Sequence, residues 1–304
     1  MSDCEEVTAP SRIRSKQLKA GKLRILAPAK LNLFLELVSR RADGYHDLST
    51  VMQTVDLFDE LALSRAESGV ELVTTGLDVP QGRQNIVWRA ADLFLERFAP
   101  GMGVRIALAK RIPAGSGLGG GSSDAASTLV GLNRLLGLRL GSAELQRLAA
   151  VLGSDVPFFI EGGTALCQGR GDVVTSVKSA SRLHYVIVCP YAKVSTRDVY
   201  ARSKIALTGP RREANILLAA LEKGDIGEIG KEVFNRLELI SVAIHPPLLE
   251  LEETMAGMPF AGVGMTGSGS AFFGICRSRR GATAAAASLT NAAVGGVFSA
   301  TSWP

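Results

Sequence analysis

Cysteine is scarce in this sequence: Cys4, Cys167, Cys189 and Cys276 are the only four, and no C-x-x-C pair occurs. That density excludes a disulfide scaffold and points to a reducing, cytoplasmic setting. Histidine is scarcer, three residues far apart, so no protein-built zinc site is expected. No apolar run approaches the roughly 18 residues that a membrane-spanning helix needs, and no membrane partner is expected. Residues 1–22 hold no hydrophobic stretch of the secretory kind, and Asp3, Glu5 and Glu6 speak against a transit peptide. Residues 1–21 therefore read as a solvated tail. Glycine is plentiful, at 33 residues, but no G-X-Y period accompanies it, which excludes collagen. Charge of one sign is also lacking. The balance of 34 basic and 29 acidic residues gives +5, which suits an anionic substrate but is too diffuse to require nucleic acid.

What is present is material for a large core: 46% of the 304 residues are hydrophobic and 21% charged, enough for two domains. From Ala29 to Leu37 the residues alternate. Ala29, Leu31, Leu33, Leu35 and Leu37 share one face, and Lys30, Asn32, Phe34 and Glu36 the other. Such a strand carries Lys30 and Asn32 side by side. Further strands are predicted at 51–55, 61–63, 70–74, 104–110, 184–189 and 272–276. Helices are predicted at 85–98, after the glycines at 117–121 with Ser122, Ser123 and Asp124 at its N-terminus, and from a Ser142 cap to Gly153. A short one follows at 155–160, with others near 214–222, 227–235 and 282–289. Strands come partly in runs, which favours α+β over a doubly wound sheet. A boundary falls at about 170–185, dividing 22–180 from 181–304.

The strongest chemical signal is Pro113-Ala114-Gly115-Ser116-Gly117-Leu118-Gly119-Gly120-Gly121-Ser122-Ser123. Glycines let backbone N–H groups approach a phosphate, and a following helix aims its unpaired N–H groups and dipole at the same anion. Gly115, Gly117 and Gly120 match the dinucleotide fingerprint G-x-G-x-x-G, but residues 137–153 hold a helix where a Rossmann unit needs its second strand. A Walker A loop needs a lysine where Ser122 stands. Protein-kinase H-R-D and D-F-G motifs are absent. The bland alternative, a flexible glycine turn, accounts poorly for five glycines in seven residues followed by a capped helix.

This loop resembles the phosphate loop of the GHMP kinases, the small-molecule kinases named for galactose, homoserine, mevalonate and phosphomevalonate. Three further stretches narrow the likeness to a member whose alcohol carries cytidine diphosphate: residues 28–35 (PAKLNLFL), 40–46 (RRADGYH) with 53–56 (QTVD), and 152–159 (LGSDVPFF). The resemblance runs from about Leu26 to the loop 262–270. It implies a two-domain α+β fold, with a ribosomal-protein-S5-like domain over 22–180 and a ferredoxin-like domain over 181–304. It also implies ATP with Mg2+, its protein ligands unknown, and phosphorylation of a 2-hydroxyl on the non-mevalonate route to isoprenoid precursors.

The same resemblance implies roles for single residues. Lys30 would hold the γ-phosphate and the acceptor oxygen, with Asn32 beside it, and Asp155 would be the general base. Without the motif, a solvated strand lysine and a helix N-cap would be the default readings. Tyr45 and His46 would read the cytidine, Tyr200 would oppose them, and Thr196 would sit near the phosphates. Asn85 and Lys110 would contact the adenosine end. The loop 264–270 either lines the acceptor side or is a tight inter-strand turn. At 235–238 (NRLE), Arg236 stands where the family commonly has an acid, and no role follows for it. Two alternatives remain: a GHMP kinase with a different alcohol, and a catalytically silent nucleotide- or RNA-binding protein on the same scaffold. The presence of both Lys30 and Asp155 speaks against silence.

Overall fold

The computed structural model describes residues 13–17, 21–192, 194–203 and 210–304. The first half of the chain runs β1 (Ser15–Gln17), β2 (Leu23–Arg40), β3 (His46–Ala66), β4 (Gly69–Gly76), α1 (Ile86–Phe98) and β5 (Gly103–Lys110). Helices α2 (Gly120–Leu136), α3 (Ser142–Leu152) and α4 (Val156–Glu161) follow, then β6 (Thr164–Gly169), β7 (Val173–Ser176) and β8 (His184–Cys189). The remainder comprises α5 (Thr196–Arg202), α6 (Asn215–Lys223), α7 (Ile226–Lys231), β9 (Phe234–Asn235), α8 (Glu238–Ile244) and α9 (Pro247–Ala256). It closes with β10 (Gly262–Met265), β11 (Phe272–Cys276), α10 (Arg279–Asn291) and β12 (Gly296–Thr301). The chain is α+β, as its pattern predicts.

Two sheets organise these elements. The larger runs β1-β2-β3-β5-β4, with β6 and β7 continuing from β3 and β9 lying parallel to β2. The smaller, antiparallel throughout, runs β10-β11-β8-β12. Helices α1 to α4 close one core against the larger sheet, where Phe94, Leu129, Phe158 and Ile106 are buried. A second core lies between the sheets, with Leu31, Leu33 and Phe34 against Tyr185 and Phe273. A third lies outside the smaller sheet, under α8, α9 and α10.

Several expectations are corrected. The strands predicted at 51–55 and 61–63 are one 21-residue strand, β3. The helix expected over 227–235 stops at Lys231, and Phe234–Asn235 instead adds a short strand to β2. Helix α2 starts at Gly120, two residues before the serines, and α3 has Gly141 rather than Ser142 as its cap residue. The solvated tail is too long at its inner end: Ser15–Gln17 pairs with β2 and Ile13 is buried. Residues 1–12 and 18–20 of that tail lie outside the described residues.

The alternation along β2 also breaks. Register shifts fall between Pro28 and Ala29 and between Asn32 and Phe34. An extra residue in one strand reverses which side the following side chains face. Lys30 and Asn32 accordingly point into a cleft, whereas Phe34 is buried between the sheets against Phe234, 5.7 Å away. Leu35 lines the cleft in its place.

Candidate active site

The cleft, about 1090 Å³, opens between the N-terminus of α2, the middle of β2 and the turn from β2 to β3. The glycine loop that leads from β5 into α2 is fastened on both sides. The N–H of Lys30 donates to Leu118 O at 2.9 Å, and that of Ala271 to Ser116 O at 3.0 Å. Gly117, at φ 83°, passes so close to the 265–270 loop that a Cβ would lie 2.1 Å from Thr266 O. Only glycine fits there. Gly119, at φ 70°, precedes the helix, whose first-turn N–H groups meet the cleft. Of the loop residues singled out from sequence, Pro113 through Gly117 and Gly119 through Ser122 line the cleft. Leu118 and Ser123 do not: both side chains are buried behind it.

Beneath this loop Lys30 Nζ lies 2.5 Å from Asn32 Oδ1 and 3.4 Å from Asp155 Oδ2. The amide is fixed in turn. Asn32 Nδ2 donates to Thr50 Oγ1 at 2.8 Å, and Thr50 donates to Phe34 O. Thr266 Oγ1 receives the Asn32 N–H at 3.1 Å. Asp155 occupies the N-cap position of α4, yet its carboxylate makes no capping bond. It is free to meet a ligand.

At the other end, Asp43 Oδ1 accepts the Tyr45 N–H at 3.1 Å and Arg41 N–H donates to Tyr45 O at 2.8 Å, so a tight turn presents Tyr45 and His46. Tyr45 is 54% exposed, with the Arg170 guanidinium 5.1 Å over its ring. His46 is buried, its ring 5.6 Å from that of Tyr200. Burial, aided by Arg40, lowers the His46 pKa and favours neutral imidazole. Thr196 Oγ1 shares a 2.7 Å hydrogen bond with Ser268 Oγ at the rim of the 265–270 loop. That loop is therefore an inter-strand turn and a cleft wall at once.

Asn85 and Lys110 line the cleft but are already engaged. Asn85 caps α1, accepting the Val87 N–H at 2.9 Å while Nδ2 donates to Pro80 O at 2.8 Å. Lys110 Nζ is buried between the carboxylates of Asp59 and Asp124, the latter at 2.7 Å. Burial opposes its charge, but Asp124 and Asp59 outweigh burial and raise its pKa. Asp59 also accepts the N–H of Ile112 at 2.9 Å, which anchors the entry to the glycine loop.

Sequence reasoning missed the supports: Thr50, Asp59, Thr266 and Asn235. Asn235 donates to Met265 O at 2.7 Å and Gly267 O at 2.8 Å, gripping the cleft wall. Arg236 has an acid after all. It makes a two-pronged pair with buried Glu36 on β2, both contacts at 2.7 Å. The pair ties β9 to β2, so Arg236, for which no role was expected, serves the packing of the strands.

Fold and glycine loop together define a GHMP-type small-molecule kinase. The models of the GHMP kinases N terminal domain and the GHMP kinases C terminal match residues 85–163 and 217–295. A protein of Caldicellulosiruptor saccharolyticus, named 4-diphosphocytidyl-2-C-methyl-D-erythritol kinase, is 42% identical over 86% of this chain and 90% of its own length. One of the same name from Geobacter metallireducens is 42% identical over 88% and 94%. The crystal structure of a 4-(cytidine 5'-diphospho)-2C-methyl-D-erythritol kinase superposes with a TM-score of 0.78 at 38% identity, covering 91% of this chain and 98% of that one. The chain belongs to the 4-diphosphocytidyl-2-C-methyl-D-erythritol kinase family.

Proposed function

We infer that this chain transfers the γ-phosphoryl group of ATP to the 2-hydroxyl of 4-diphosphocytidyl-2-C-methyl-D-erythritol, a step of non-mevalonate isoprenoid precursor synthesis. The observation that carries the reading is the Lys30–Asp155 pair, 3.4 Å apart, set in one cleft with the glycine loop and with Tyr45 and His46.

Phosphoryl transfer to an alcohol needs a phosphate cradle, positive charge at the moving group, and an acceptor for the hydroxyl proton. The N–H groups at the start of α2 serve as the cradle. Lys30, desolvated and braced by Asn32, neutralises charge on the transferring phosphoryl oxygens. Asp155 orients the acceptor hydroxyl and takes its proton as the bond to phosphorus forms. In a loose transition state little proton removal is needed early, so orientation counts for more than basicity.

Among the described residues no group of three or more His, Cys, Asp or Glu could hold a metal alone. That fits a magnesium ion arriving on the triphosphate, with Ser122 as a protein oxygen at the cleft. Bound there, magnesium would offset charge on the phosphates. The turn at 43–46 supports a cytidine-bearing substrate: Tyr45 offers a face for stacking and His46 a polar edge. Asn85 and Lys110 border the adenosine side. Thr196 belongs near the substrate phosphates, and Tyr200 opposite the base. The buried free thiols of Cys167, Cys189 and Cys276 support a cytoplasmic location.

The test is steady-state ADP production with ATP and magnesium. The cytidylyl compound, its uridylyl analogue, free methylerythritol, homoserine and mevalonate are compared side by side. Turnover confined to the cytidylyl compound is expected. Equal turnover of the alcohol lacking cytidine would leave only a GHMP kinase of another substrate.

A further inference from the structure

Ser203, one residue beyond α5, is wholly buried. Its hydroxyl oxygen lies 2.7 Å from Tyr200 O and 3.0 Å from His46 Nε2. A hydroxyl has one proton and a carbonyl oxygen only accepts. If that proton were turned to the imidazole, two oxygens 2.7 Å apart would face each other with no hydrogen between them. The proton therefore lies on the Ser203–Tyr200 contact, and Ser203 Oγ receives a hydrogen from Nε2. In a neutral imidazole the other nitrogen is then bare. His46 Nδ1 makes no hydrogen bond to any described residue, and His46 lines the cleft.

We propose that Ser203 is a positioning residue that fixes His46 in its Nε2–H tautomer. Nδ1 then presents a lone pair to the nucleobase, selecting an exocyclic amine over an exocyclic carbonyl. This rests on the reading that His46 meets the base of the substrate. Cytosine offers N4–H, a donor, to such a lone pair, and uracil offers O4, an acceptor. Lone pair against lone pair is the mismatch that a polar site rejects best, because both groups are left unpaired. With the opposite tautomer, Nδ1–H would suit O4 and the preference would invert. The serine, in the cleft wall beside Tyr200, thus sets the sign of the discrimination through the imidazole.

The tautomer is read directly from 15N spectra of histidine-labelled wild-type protein at neutral pH, with His46 assigned by its absence in His46→Gln. The expected result is a protonated Nε2 and a bare Nδ1. In Ser203→Ala the two tautomers should mix. The ratio of kcat/KM for the cytidylyl over the uridylyl substrate should fall roughly 5- to 10-fold, the scale of one net hydrogen bond. The loss should come through KM, with kcat near the wild-type value. Ser203→Thr, which keeps the hydroxyl, should retain the ratio.

A protonated Nδ1 in the wild type would overturn the proposal. So would an unchanged ratio in a folded Ser203→Ala, or a Thr variant that loses as much as the Ala one. If Ser203→Ala does not fold, the wild-type spectrum and the Thr variant still decide. A wild type that uses both nucleotides equally, while showing bare Nδ1, would sink the underlying base reading and with it the selectivity. The tautomer lock would then stand as a structural fact alone.

Discussion

The side chains of Lys30 and Asp155 lie 3.4 Å apart but in unlike surroundings: the lysine is 3% exposed and the aspartate 36%. The cation is held, by Asn32 on one side and the glycine loop above, while the carboxylate is reachable from solvent. That asymmetry suits a fixed positive charge next to an acid that meets an incoming hydroxyl. A pair serving stability alone would have no reason to leave one partner wet.

Lys30→Met keeps the aliphatic stem under the glycine loop and removes the charge. Asp155→Asn keeps the shape and removes the carboxylate charge. Each should lower kcat by at least about 100-fold, the usual scale for lost electrostatic or acid–base help. ATP affinity should move far less if, as proposed, the backbone of residues 113–121 supplies most of the phosphate contacts. Single-turnover rates beside equilibrium ATP binding separate the two. An Asp155→Asn enzyme with near-normal turnover would remove Asp155 from the chemistry.

Gly119 packs the start of α2 against Lys30. Its φ of 70° is poorly tolerated by other residues, and a Cβ would sit 2.9 Å from Phe159 Cζ and 3.0 Å from Lys30 Cγ. Gly119→Ala should therefore raise KM for ATP and lower kcat together, each by roughly 10-fold. Steady-state kinetics with circular dichroism as a fold check test this. A folded variant with both constants within about twofold of wild type would show that the loop does not press on Lys30.

The parts legible in the sequence were those whose physics is local. The glycine loop, the Lys30–Asn32 pairing and the Gly153 end of α3 depend on neighbours along the chain, whereas the serines expected to cap α2 and α3 do not cap them. The register shift after Asn32 was not legible, because a bulge is fixed by what the partner strand offers, and strict alternation misplaces Phe34. Asp59, Thr266 and Asn235 escaped for a related reason. Each acts on a group far away in sequence, and nothing local distinguishes them from ordinary polar residues. Arg236 had no role from its place in the sequence, because its partner Glu36 lies 200 residues away on the neighbouring strand β2. Lys110 was read as a ligand contact, and its two buried carboxylates were invisible without the fold.

Tyr45 should matter to the cytidylyl substrate and to little else. More than half its surface is open, so Tyr45→Ala should barely change the thermal midpoint. It should cost a stacking contact of about 1–3 kcal/mol, roughly a 5- to 150-fold rise in KM for the cytidylyl compound. KM for ATP should stay within about twofold. An equal rise in both KM values would mean that the turn shapes the whole cleft rather than one subsite.

The final prediction concerns the acid that holds the cleft wall from behind. Glu238, at the start of α8, accepts the Met265 N–H at 2.8 Å, and Met265 leads directly to Thr266. Burial pushes its pKa up to about 7, against the pull of that N–H and with repulsion from Glu252 adding to the rise. A carboxyl with a raised folded-state pKa binds its proton more tightly in the native protein than in the unfolded chain. Its contribution is fully present below its ordinary value of 4.5 and is lost as pH rises through about 7. Glu238→Gln stays neutral at every pH and keeps an oxygen for Met265. The variant should match wild type near pH 4 and be more stable by roughly 3 kcal/mol near pH 8. His46 and His184 titrate alike in both proteins and cancel in the difference. Urea midpoints measured for the pair from pH 4 to 8 give the curve. A gap that is constant across that range would mean that Glu238 does not titrate there, and that the wall it supports is indifferent to pH.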